Sequence, residues 1–116
     1  MAVHFTTAAA QALLKEFDKR ISQSEPAGKI TTWEKSADGA YYTHRAKEWQ
    51  AKAWMKPTIQ SDKLVFNIVK PKNSDVSATV YAYYHGHLTE TFLNHFDKMF
   101  TYGVSSALAD PGDIIS

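Results

Sequence analysis

Two hydrophobic periods divide this chain. From residue 6 to residue 24, apolar side chains recur at spacings of three and four, so that Ala10, Leu13, Leu14, Phe17 and Ile21 share one face. That recurrence predicts an amphipathic helix. Thr6 or Thr7 is its expected N-cap, because a hydroxyl can accept one of the orphan backbone N–H groups. Lys15, Glu16, Asp18, Lys19 and Arg20 supply the wet side, and Pro26 and Gly28 stop the helix.

The period then falls to two. Ile30 to Ser36 and Ala40 to Ala46 flank Ala37-Asp38-Gly39, and Asp-Gly is a hairpin signal because both residues tolerate left-handed geometry. Trp49, Ala51, Ala53 and Met55 alternate with Gln50, Lys52, Trp54 and Lys56, which predicts a third strand ended by Pro57. The helix-forming Ala, Lys, Glu and Gln of the same stretch support a competing helix. Leu64 to Lys70 is apolar on both faces and reads as a more central strand. After the breaker-rich Pro71 to Asp75, the residues Val76 to His85 alternate again. Val76, Ala78, Val80, Ala82 and Tyr84 take one face, and Ser77, Thr79, Tyr81, Tyr83 and His85 the other. This predicts a last strand running into a second helix, Leu88 to about Phe100, with Leu88, Phe92 and Phe96 as its stripe. Tyr102-Gly103 ends that helix.

The expected architecture is an α+β two-layer sandwich. Its antiparallel sheet has four or five strands, and an N-terminal and a C-terminal helix pack on one face. The 116 residues fit one domain spanning 1–116, with a flexible tail at 109–116. A chain of that length buries roughly two-thirds of its unfolded surface, enough for a core without metals or disulfides.

Composition removes several kinds of chemistry. There is no cysteine, which excludes disulfides, thiolate metal sites and cysteine nucleophiles. Thirteen Lys and Arg against twelve Asp and Glu leave a formal charge of +1, without the positive excess typical of a phosphate-backbone binder. The start of the chain does not read as a signal peptide, and no apolar run approaches a membrane span, so a cytoplasmic protein without a membrane partner is expected. The five glycines are scattered and form no phosphate-binding loop.

The most informative stretch is Tyr81-Ala82-Tyr83-Tyr84-His85-Gly86-His87, placed by this reading at a strand-to-helix junction. Trp54, Tyr81, Tyr83 and His85 are expected on an outer sheet face, joined there by Trp33 or Tyr41. An aromatic face of that kind serves as a binding surface for a protein partner or for a second copy in a homodimer. His44, His87, Glu90 and His95 are the candidates for a small-molecule or enzymatic pocket at the junction, because histidine titrates near neutrality. Two imidazoles and a carboxylate also invite a metal. However, His85 and His87 lack the i, i+4 spacing of a helical pair, and Glu90 is explained by a favourable place in a first helical turn. No metal ligand, cofactor or catalytic residue is assigned. Lysines interleaved with Tyr and Trp leave single-stranded nucleic acid as a third and disfavoured partner. The balance favours non-catalytic binding over enzymatic function.

Overall fold

A computed structural model describes residues 1–116. The elements run β1 (Ala2–Thr6), α1 (Ala10–Ser22), β2 (Trp33–Lys35), β3 (Tyr42–His44), β4 (Trp54–Ile59), β5 (Lys63–Val69), α2 (Ala78–Phe96) and β6 (Gly103–Ser105). All six strands join one sheet in the order β2-β3-β4-β5-β1-β6. Every strand pairing in it is antiparallel. The α+β class and the antiparallel sheet therefore hold, but the strands number six rather than four or five.

Three corrections follow from the same elements. First, the chain opens with a strand, and the helix expected from residue 6 starts at Ala10. Val3 and Phe5 point into the core while His4 and Thr6 do not, a period of two over too few residues to be read alone. Thr7 does not cap the helix in the expected way. Its hydroxyl donates to the Met99 carbonyl and accepts from the Ala9 N–H, tying the strand–helix turn to the turn that follows α2. Second, Pro57 lies inside β4 instead of ending it. β3 pairs with β4 only at Met55, so the flank beyond is an open edge, where a residue without an N–H is tolerated.

The third correction matters most. Residues 78–85 are helical, α2 is continuous from Ala78 to Phe96, and no strand-to-helix junction exists. The Ser77 hydroxyl accepts the Val80 N–H and caps the helix where a strand was expected to begin. Tyr84, Leu88, Phe92 and Phe96, four apart, form its buried stripe. Tyr81, Tyr83 and His85 thus lie on helix flanks and not on an outer sheet face.

Both helices meet the sheet at Phe66 in the middle of β5. Phe17 of α1 lies 5.8 Å from it edge-on, and Phe92 of α2 lies 5.5 Å away in a similar T-shaped contact. Phe5 and Tyr42 complete the cluster. Trp33, considered for the outer face, is buried in this core, and its indole N–H donates to the Thr91 hydroxyl.

The terminal residues read as a flexible tail run along the sheet. Ile114 bridges Val69 in parallel beyond the start of β1, and Asp113 accepts from the Asn67 side chain at 2.8 Å. Gly112 makes this approach possible. Its φ is +100°, and a Cβ there would stand 2.8 Å from the Asn67 amide oxygen.

Candidate functional site

The strand alternation of β4 turns Met55 into the core and leaves Trp54 half-exposed. Trp54 pairs with Val69 across β5. The β2–β3 turn rises on one side of this pair and Lys70-Pro71-Lys72 on the other. Together they enclose an open cleft of about 480 Å³, with Tyr41 and Asp38 on the turn side. Gly39, at φ +75°, supplies the left-handed residue that closes the turn. Asp38 is engaged within it: one carboxylate oxygen accepts from the Ser36 hydroxyl at 2.5 Å and from the Ala40 N–H at 3.0 Å. These bonds hold its carboxyl below the usual carboxylate range. Lys70 and Lys72 belong to none of the chain's ion pairs.

A second constellation forms between β3 and α2. His44 Nε2 lies 2.5 Å from His87 Nδ1. The Ala46 N–H donates to His44 Nδ1 at 3.0 Å, so that nitrogen carries no proton. The proton of neutral His44 therefore sits on Nε2 and is donated to His87. Neutral His87 then presents an N–H at Nε2, which lies 4.0 Å from the Glu90 carboxylate at the surface. His44 is only 2 % exposed, enclosed by Trp33, Tyr83 and Tyr84. Burial, and then the neighbouring His87, push its pKa down to about 4. Tyr83 stacks on Trp49 at 3.9 Å between ring centroids, which brings the segment before β4 against the helix. A shallow hollow lined by Tyr83, Gly86, His87 and Glu90 opens beside the pair.

The remaining candidates scatter. His85 lies on the other flank of α2, where it is buried. Its Nδ1 donates to the Tyr81 carbonyl one turn back, and its Nε2 has no partner. His95 stands at the far end of the helix, 3.5 Å from the Arg20 guanidinium. Tyr81 reaches toward the Ala107 carbonyl. Of the four pocket candidates, the fold brings together His44, His87 and Glu90 and leaves out His95. Of the four surface candidates, only Trp54 is on the sheet.

Sequence reading missed the Trp49–Tyr83 stack and a bond between His4 Nε2 and Asp110 Oδ2 of 2.6 Å. The second joins residues 106 positions apart and has no local signal. No group of three or more His, Asp or Glu side chains is placed to hold a metal ion, and no helix is long and apolar enough to cross a membrane. No protein-family model, curated protein or solved structure matches the chain.

Proposed function

We propose that this protein is a non-catalytic binding domain whose contact surface is the sheet face around Trp54. One observation carries the reading: a half-exposed tryptophan, beside Tyr41, in a cleft of about 480 Å³. That volume falls within the range of small-ligand sites, roughly 300–1,000 Å³. Tryptophan left at a surface in a concave setting is the residue type that most often anchors a contact. A thermal-shift screen of small aromatic and charged compounds tests it, with Trp54→Ala as the comparison. Compounds that stabilise the wild type and not the variant support the reading. A second copy is the other occupant considered, and sedimentation at micromolar concentration reads it directly. A strict monomer with identical responses in wild type and variant would sink the proposal.

A second reading, a small-molecule or acid–base pocket, is favoured by the hydrogen bond between His44 and His87. The outward N–H of His87, beside Glu90, would donate to an acceptor on a bound molecule. Histidine ring signals followed by NMR during ligand addition test it. Ligands that move the His87 signals and leave His95 still support this pocket.

A further inference from the structure

The Trp54 cleft has a charge pattern that narrows its occupant. Its floor and turn-side wall present two aromatic rings, Trp54 and Tyr41. Such rings favour a flat π-face, which can stack offset or edge-on. The opposite wall carries Lys70 and Lys72, and neither is paired with a carboxylate. The one acid in the cleft is Asp38. One of its oxygens is occupied by Ser36 and Ala40. The other is left to accept from a ligand N–H. Two free cations against one engaged carboxylate leave the cleft positive, although the chain as a whole is nearly neutral. Past the cleft the positive character is diluted. A neighbouring hollow shares Pro71 and Lys72 with it and adds Lys52 and Asp75, one cation against one carboxylate.

We propose that the cleft binds a planar heteroaromatic ring that carries an anionic group, the chemistry of a nucleoside monophosphate. This rests on the binding reading given above and names its ligand. The ring lies against Trp54 and Tyr41. The phosphate reaches the ammonium groups of Lys70 and Lys72, where charge-assisted hydrogen bonds are the strong ones. An exocyclic amine of the ring donates to the free oxygen of Asp38. The same chemistry is offered by a free nucleotide and by one nucleotide of a single strand. The size of the cleft and the diluted charge beyond Lys72 favour the free nucleotide.

The test is titration of the folded chain with AMP and GMP, followed by amide and indole NMR shifts at low ionic strength. A short oligonucleotide and a neutral nucleoside run as parallel arms. The expected result is saturable binding of the mononucleotides, at roughly tens to hundreds of micromolar for a ligand of this size in an open cleft. Shifts should be largest at Trp54, Tyr41 and residues 69–72. Trp54→Ala should abolish binding. Lys70→Ala with Lys72→Ala should weaken it about tenfold or more, and so should omission of the phosphate in the nucleoside arm. Lys15→Ala with Lys19→Ala, on the wet side of α1, should leave it unchanged. Binding of the oligonucleotide without the mononucleotides would overturn the free-nucleotide assignment. Binding of neutral aromatics with no preference for the phosphate would overturn the anion, while the binding domain itself would stand. If neither these ligands nor the compound screen gives a response that depends on Trp54, both proposals fall.

Discussion

His85 and His87 are two residues apart on one helix, and they behave in opposite ways. Two steps along α2 are about 200° of rotation, so the rings leave on different flanks. His87 meets His44 on β3 and closes a tertiary hydrogen bond. His85 is turned toward the start of β1, satisfies one nitrogen on its own helix, and leaves the other buried and unpartnered. Burial pushes its pKa down as well. The contrast shows that a buried histidine is not informative by itself. What distinguishes the two is whether the second nitrogen has a partner on another element. By that measure the His87 flank ties the fold together, and the His85 flank is packing with an unsatisfied group.

The largest expected effect is a loss of stability on acidification, which a variant on the His87 flank can apportion. His44 is held near 4 in the folded chain and titrates near 6.5 when unfolded, so between those values the unfolded chain binds more protons. Stability should therefore be full above about pH 6.5 and fall as the pH drops toward 4, by up to about 3 kcal/mol from this one group. Protonation has no other outlet, because Nδ1 faces the Ala46 N–H and Nε2 already carries its proton. His85 and His95, also shifted down, act in the same direction. Urea unfolding midpoints from pH 7.5 to 4.5 read the total, and His44→Gln isolates the share of the pair. If the variant and the wild type lose stability in parallel, the pair is not the main acid-sensitive element.

The same substitution on each flank should then give unequal results. His87→Leu strands the buried Nε2–H of His44, a loss of about 1–3 kcal/mol. His85→Leu removes an unpartnered nitrogen together with one local bond to the Tyr81 carbonyl of its own helix, opposing changes that should leave it within about 1 kcal/mol of the wild type on either side. Comparable losses at both sites would mean that the two flanks are equivalent after all. A smaller effect tests the outer end of the His87 flank. Tyr83→Leu keeps an apolar side chain but removes the stack on Trp49, and should cost about 0.5–1.5 kcal/mol, with a change in Trp49 fluorescence.

These flanks also mark where the sequence could be read and where it could not. The outward turn of Trp54 was legible, since Met55 beside it had to be buried and a strand reverses direction at each residue. The core residues of β5 and the hairpin turn at Asp38-Gly39 were legible for similar reasons. Residues 78–85 were not. Val80, Tyr84 and Leu88 are spaced by four, and four satisfies both the strand period of two and the helix period of 3.6. Their tyrosines and β-branched neighbours tipped the reading toward a strand. The capping serine at position 77 was the competing signal, and burial of Tyr84, Leu88, Phe92 and Phe96 on one helix face is the tertiary packing that overrides local propensity. That error displaced Tyr81, Tyr83 and His85 from a helix to a sheet face. It did not hide the convergence of His44 with His87, because no one-dimensional pattern reports contacts across 43 residues.

Gly86 sits between the two histidines and gives the finest test of the comparison. At a strand-to-helix junction it would supply a backbone angle that other residues avoid. In the middle of α2 it has ordinary helical geometry, it is exposed, and a Cβ built there meets nothing within 4 Å. Glycine in that position only adds conformational freedom to the unfolded chain. Gly86→Ala should accordingly stabilise the protein, by about 0.5–1 kcal/mol, and leave the His44–His87 bond in place. The gain is read as a rise in the thermal midpoint, and the intact bond as unchanged His44 ring shifts at pH 7. A loss of stability would instead mean that the chain bends or is approached closely at Gly86, and that the two flanks do not belong to one straight helix.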